Sequence, residues 1–150
     1  MGLCRVHPFA KLRELDLNDN SISDHCLHLL ALGWARGAMA HLATLNLSYN
    51  LLSSIGAMTF VNSQQYHSLW EGRGKPRLLP GLEKLFLWRN HIGTAGVKEI
   101  AKGLKAGELP KLRLINLNYN DFDVESMEEI LAATRERGIE CQLSLQYDEA

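Results

Sequence analysis

The same pattern of eleven residues occurs four times in this chain of 150 residues. It has apolar residues at positions one, four, six and eleven and asparagine at position nine. The copies begin at Leu12, Leu42, Leu82 and Leu112, so successive copies start thirty residues apart, except that forty separate the second from the third. This period predicts a solenoid, because one unit cannot bury its apolar residues alone and must stack on its neighbours.

Each repeat is predicted to contain a strand, a turn and a helix. Leucines at positions four and six alternate with other residues, as in a strand with one buried face. Apolar residues also recur seven, ten and eleven residues after each asparagine, which is the spacing of one helix face. In the first repeat these are Leu27, Leu30 and Ala31. Fourteen residues after the asparagine the first and third repeats have Trp34 and Leu104, whereas the second and fourth have Gln64 and Thr134. The predicted helix N-caps are Ser23, Ser53, Thr94 and Asp123, and the predicted helix ends are Gly37, Gly107 and Gly138.

The repeats from about Phe9 to Tyr147 resemble the ribonuclease-inhibitor-like class of leucine-rich repeats, whose units of this length carry a full helix. The resemblance implies an α/β solenoid with a parallel sheet on its concave side and helices on its convex side. We expect a single domain over residues 1–150 with four repeats. A closing strand over about 139–147 is predicted because Ile139, Cys141, Leu143, Leu145 and Tyr147 alternate. Cys141 is then expected in the core.

The asparagines at position nine are predicted to be structural. Stacked repeats place Asn20, Asn50, Asn90 and Asn120 in a ladder, where each side-chain amide can bond backbone groups that the turn leaves unpaired.

Ten extra residues interrupt the second repeat, within an insertion of about 65–77. Two glycines, a proline and three cations lie between Trp70 and Arg77, so we expect an extended helix end, then a mobile basic loop with Trp70 packed beneath it. Arg73, Lys75 and Arg77 could contact phosphate or an acidic partner. A solvated surface insertion is the favoured alternative.

The start of the solenoid lacks a visible cap. The first strand and the helix carrying Leu27 and Leu30 would then present apolar surface to water. A partner subunit, a fold-back of Cys4 to Phe9, or further repeats of a longer solenoid would each cover it.

The sequence contains no recognisable catalytic, cofactor or metal constellation. His25 and His28 could share a metal, but Cys26 between them is expected to face the repeat interior and no further ligands complete a set. Glu14, Asp16 and Asp19 cluster on the first strand and turn, where they should be solvated rather than buried as acid–base groups. We predict no enzyme and no cofactor.

Composition limits the classes of partner and the cellular compartment that we expect for this chain. A formal charge of −1 gives no global field for nucleic acid, and no stretch approaches the ~20 apolar residues of a membrane helix. Three scattered cysteines and no signal-peptide core indicate a reducing compartment. We predict a cytoplasmic location, with the nucleus as the alternative.

Positions three, five and seven of each repeat alternate away from the leucines and are predicted to face the concave side, with position eight at its rim. This face is acidic in the first repeat and aromatic in the third, which is the residue mix of interface hot spots. Burial of these aromatic residues by the insertion is the alternative. The candidate protein-binding residues are Tyr49, Lys84, Phe86, Trp88, Arg89, Leu114 and Tyr119.

The predicted function is that of a non-catalytic protein–protein interaction module, a scaffold or adaptor subunit of a larger intracellular complex. A second hypothesis is a small-GTPase regulator, since the chain also resembles a short stretch of the Ran GTPase-activating proteins, although no functional residue can be carried over from them. Nucleic-acid binding ranks third, because only the basic loop supports it.

Overall fold

In a computed structural model, which describes residues 9–70, 74 and 76–144, five short strands form one parallel sheet in chain order. Each strand is paired with the same repeat position of its neighbour, as in Leu15 with Leu45 and Leu85 with Ile115. The strands are β1 (Glu14–Asp16), β2 (Thr44–Asn46), β3 (Lys84–Phe86), β4 (Leu114–Asn116) and β5 (Glu140–Gln142). The predicted strand starts in the four repeats and the leucine-rich-repeat solenoid fold are thus confirmed.

Helices alternate with the strands and pack on each other in sequence to form a second layer. They are α1 (Asp24–Ala35), α2 (Ser54–Thr59), a 3-10 helix (Ser63–Leu69), α3 (Thr94–Lys105) and α4 (Val124–Glu136). Gly37, Gly107 and Gly138 follow helix ends with φ of 92°, 90° and 67°, a left-handed conformation that glycine adopts without steric cost. The predicted helix ends are therefore confirmed.

Three of the four predicted N-caps are confirmed, since Ser23, Ser53 and Asp123 each accept a hydrogen bond from a first-turn backbone N–H. The prediction for Thr94 is wrong, because Gly93 occupies the cap and Thr94 is the first helical residue. The Thr94 hydroxyl instead accepts from Asp123 N at 3.1 Å in the next repeat.

The starts of α2, α3 and α4 are each held by the preceding repeat. The Ser54 hydroxyl of α2 accepts from Gly93 N at 3.0 Å and Gly96 N at 2.9 Å, which satisfies donors at the N-terminus of α3. A Cβ on Gly96 would lie 2.8 Å from Ser54 Cα, so glycine is what permits this approach. Asp24 of α1 accepts in the same way from the backbone and hydroxyl of Ser53.

The apolar core lies between sheet and helices, and it is tightest in the central repeats. Leu45, Leu47 and Leu52 are fully buried, whereas their first-repeat counterparts Leu15, Leu17 and Ile22 are only half-buried. The expected apolar exposure at the first repeat is therefore found along β1. The expectation for Leu27 is wrong, because this side chain is completely buried in the core, where α1 packs against α2 and the 3-10 helix.

The asparagine ladder is observed from the second repeat onward. Asn50 Oδ1 accepts from Asn20 N and Ile22 N at 3.0 and 2.8 Å, and its Nδ2 donates to Leu17 O and Leu47 O, both at 3.0 Å. Asn90 and Asn120 bond neighbouring backbone in the same manner. Asn20 is exposed and donates to Asn18 O, because no described repeat precedes it.

The insertion begins with ordered structure rather than with an extended helix. Helix α2 ends at Thr59, and the 3-10 helix that follows packs against α1. Its Tyr66 is 2% exposed, and the phenol oxygen lies 2.8 Å from His28 Nδ1. The free energy gained by burying this ring offsets the cost of interrupting the helix between α2 and the 3-10 helix. The expected extension of α2 is therefore wrong. Arg73 and Lys75 of the predicted basic loop lie outside the described residues.

Two predictions about cysteines need correction. Cys26, expected in the repeat interior, is exposed, because the face of α1 that packs inward carries Leu27, Ala31 and Trp34. Cys141 on β5 is half-buried rather than fully in the core, since β5 is the last strand that the structure describes. Leu145 and Tyr147 of the predicted closing strand lie outside the described residues.

Candidate protein-binding face

The sheet register arranges the outward positions of the strands in two rows. The first row joins Glu14, Thr44, Lys84 and Leu114, and the second joins Asp16, Asn46, Phe86 and Asn116. Residues in register on parallel strands point to the same face, so each row runs across the whole sheet. The face therefore changes from acidic at β1 to cationic and aromatic at β3.

Three side chains of the second row are partly structural, a role that sequence interpretation missed. Asp16 Oδ1 accepts from Asn18 N at 2.9 Å, and Asn46 and Asn116 accept from Ser48 N and Asn118 N at 3.0 Å. These bonds form a turn that Asp and Asn favour, and the recurrence of Asp or Asn at this position was the signal that could have revealed it. Phe86 is the exception among the four repeats.

An aromatic cluster occupies the rim next to β3. The Trp88 and Tyr49 rings meet edge-on with centroids 4.7 Å apart, and the Tyr119 ring lies 6.1 Å from Trp88. The Arg89 guanidinium carbon lies 5.4 Å from the centroid of Tyr49. These four residues, called the aromatic cluster below, were all predicted from the repeat pattern to share one surface.

Trp88 is half-buried, and its indole nitrogen is fully buried without a hydrogen-bond partner in the described part of the chain. The exposed remainder of the ring is therefore carbon surface. Tyr119 is 49% exposed, so apolar area at the cluster faces solvent. The described part of the insertion packs against α1, in the helix layer, rather than across this face.

The turns fix the backbone positions of the residues in the aromatic cluster. Tyr49, Arg89 and Tyr119 have φ of 55°, 54° and 57°, a left-handed conformation that costs a non-glycine residue about 1–2 kcal/mol. Tyr49 N donates to Trp88 O at 2.8 Å and Arg89 N donates to Asn118 O at 2.9 Å. These bonds, together with the asparagine ladder beside them, offset the strain and hold successive turns in register.

The remaining predicted residues lie on the same face but apart from the cluster. Lys84 is exposed and pairs in register with half-buried Leu114. Phe86 lines a separate cavity beside β1, where it joins Glu14 and Asp16. Of the candidate residues, four form the aromatic cluster and Phe86 lines a mixed acidic and aromatic cavity, whereas Lys84 and Leu114 belong to neither.

Other constellations show no comparable geometry. No group of three or more His, Cys, Asp or Glu side chains that could hold a metal occurs among the described residues. His25 and His28 are both exposed, and His28 contacts the Tyr66 hydroxyl. Across the described ranges, none of the helices has the length and apolarity to span a membrane.

Five parallel strands, alternating helices and an internal asparagine ladder define a leucine-rich-repeat solenoid. A family model described as leucine-rich repeat matches residues 10–25, which contain β1 and the turn into α1, and supports assignment to a leucine-rich-repeat family. No curated protein matches the chain. Leucine-rich repeats generally mediate protein–protein interactions.

Proposed function

We propose that this chain is a non-catalytic scaffold or adaptor subunit that binds a protein partner on its concave face. The observation that carries the proposal is the aromatic cluster, in which exposed carbon surface of Trp88 is flanked by two tyrosines and an arginine. Trp, Tyr and Arg are the residues most enriched among interface hot spots.

The cluster is organised before a partner binds. Its rings already contact each other, so ordering them on association costs less side-chain entropy than ordering isolated side chains would. Tyr49 and Arg89 lie in strained turns, and backbone hydrogen bonds to the next repeat limit the motion of these turns further. Less of the free energy gained by burying the cluster is therefore lost to ordering its side chains, and more of it contributes to affinity.

A second contact is proposed at the first repeat, for a neighbouring subunit. Leu12, Leu15 and Leu17 are half-buried where the equivalent residues of the second repeat are fully buried. Covering them would complete the burial that the central repeats achieve among themselves. The single domain over 1–150, the ribonuclease-inhibitor-like class and a cytoplasmic or nuclear location remain parts of this proposal.

Affinity capture with the full chain, followed by mass spectrometry and titration of the captured protein, tests the proposal. Trp88→Ala should lower affinity by about thirtyfold, equivalent to about 2 kcal/mol. Ile55→Ala is the matched control, because it removes an apolar side chain that is 71% exposed on α2 rather than on the concave face. Equal binding by the folded Trp88→Ala variant would contradict the proposed site.

The same captured partner distinguishes the GTPase-regulator hypothesis. A scaffold leaves nucleotide hydrolysis by its partner unchanged, whereas a regulator accelerates it. A partner whose GTP hydrolysis rises on addition of the chain would contradict the adaptor proposal.

A further inference from the structure

A cavity of about 180 Å³ opens on the concave face at the β1 side of the sheet. Its six lining residues combine two acids, one aromatic ring, two polar side chains and one leucine. They are Glu14, Leu15, Asp16, Thr44, Asn46 and Phe86. Sequence interpretation assigned the acids and the ring to different ends of the face, whereas the structure places them around one cavity.

No ion pair in the described part of the chain neutralises the two carboxylates. Glu14 and Asp16 are exposed and lie two residues apart on one strand, so both point to the same face. Neither takes part in an ion pair within residues 9–70, 74 and 76–144. Lys84, in the same row as Glu14, lies two strands away, or about 10 Å between backbones.

Phe86 supplies an apolar wall to this negative cavity. It occupies the row position where the other repeats have Asp or Asn, and it reaches the cavity from β3 although β2 lies between it and Asp16. An aromatic face attracts a cation, and carboxylates beside it add charge complementarity. Two carboxylates are too few for a metal site, but together with a ring they suit a long basic side chain, whose stem is apolar and whose head is charged.

We propose that this cavity binds an arginine or lysine side chain of the protein partner. The aliphatic stem lies on the Phe86 ring, and the cationic head lies between Glu14 and Asp16. The partner is therefore a basic segment that also places an apolar side chain on the aromatic cluster. This inference rests on the proposed function and adds the chemistry of the partner to it.

Selection of phage-displayed random peptides on the full chain tests the inference without a known partner. Enriched peptides should share a basic residue and lose binding to Trp88→Ala. For a synthetic enriched peptide, replacing its arginine by neutral, nearly isosteric citrulline (or its lysine by acetyl-lysine) should lower affinity about tenfold. Higher salt should weaken only the cationic peptide.

The double variant Glu14→Gln and Asp16→Asn removes both charges while keeping side-chain size and the acceptor for Asn18 N. It should bind the cationic peptide and its neutral analogue equally. Glu140→Gln is the matched control, because Glu140 is exposed and follows Leu114 in the row of Glu14 at the opposite edge of the sheet. An effect of Glu140→Gln as large as that of the double variant would overturn the site.

The outcomes separate the two proposals. Peptides that require Trp88 but carry no basic residue, or that bind the double variant unchanged, overturn the inference and leave the proposed function standing. Failure to enrich any peptide that depends on Trp88 contradicts the proposed function, and the inference with it.

Discussion

Arg137 donates from Nη2 to the backbone oxygen of Leu109 at 2.7 Å, and thereby connects the end of α4 to the chain that follows α3. Its Nη1 also donates to Glu108 O at 2.6 Å and Leu104 O at 3.1 Å. The guanidinium thus adds a charged donor to carbonyl groups at the end of α3, two of which also accept from backbone, Leu104 O from Gly107 N and Leu109 O from Leu112 N. Burial lowers the pKa of Arg137 from its usual value, although the group remains charged at neutral pH.

We expect Arg137→Ala to lower the free energy of unfolding by about 1–3 kcal/mol, because three hydrogen bonds from a charged group to backbone oxygens are lost. Arg135→Ala is the control, since Arg135 is exposed in the last turn of the same helix. Urea denaturation of both variants measures the difference. Equal losses would show that the cross-repeat bonds contribute nothing beyond a surface charge.

The asparagine ladder predicts position-dependent stability. Asn90→Ala should cost about 1–3 kcal/mol, because buried backbone groups of two repeats lose their partner. Asn20→Ala should cost much less, since Asn20 is exposed at the first repeat. Thermal melting compares the two variants. An unchanged melting temperature for Asn90→Ala would contradict the ladder's contribution.

Close helix packing predicts opposite effects for two helical glycines. Gly96→Ala should destabilise the fold, because the new Cβ would lie 2.8 Å from both Cα and Oγ of Ser54. The contact can be relieved only by displacing α2 or breaking the Ser54 cap, at a cost of about 1–3 kcal/mol. Gly33→Ala should be neutral or stabilise by up to about 1 kcal/mol, since its Cβ would meet nothing nearer than Ala38 Cβ at 3.8 Å. Denaturation midpoints test this pair.

The two described cysteines should differ in reactivity. The Ser23 hydroxyl lowers the pKa of the exposed Cys26 thiol, whereas burial raises the pKa of Cys141 to about 11. The thiolate is the reactive form, so iodoacetamide at pH 8 should label Cys26 much faster, as peptide mass spectrometry can measure. Ser23→Ala should slow Cys26 and leave Cys141 unchanged. Comparable labelling rates in the folded chain would contradict this environment for Cys141.

The same shift for Cys141 predicts loss of stability at alkaline pH. A raised folded-state pKa means that the thiol ionises first in the unfolded chain, which favours unfolding. The stability of the fold is therefore unaffected by this thiol below about pH 9 and falls as the pH rises from there towards 11. Cys141→Ala should therefore reduce the alkaline sensitivity of unfolding between these pH values. A pH profile identical to that of the unchanged chain would argue against the buried thiol as its cause.

The sequence by itself determined the features that lie within one repeat. Strand starts at Glu14, Thr44, Lys84 and Leu114, the glycine helix ends and the asparagine ladder all followed from the period, because identical local patterns must occupy identical places in a stacked array. The residues of the aromatic cluster were also predictable, since strand alternation and turn position assign them to the concave side.

Tertiary structure decided what depends on contacts between repeats. The hydroxyl of Thr94 bonds the next repeat instead of capping its own helix, and Tyr66 is buried against α1 although it lies in an insertion with no repeat counterpart. The grouping of Phe86 with Glu14 and Asp16 is of the same kind, because the reach of a ring across an intervening strand is set by packing. A period specifies which face a residue occupies, whereas its partner is chosen by the shape and chemistry of the neighbouring repeat.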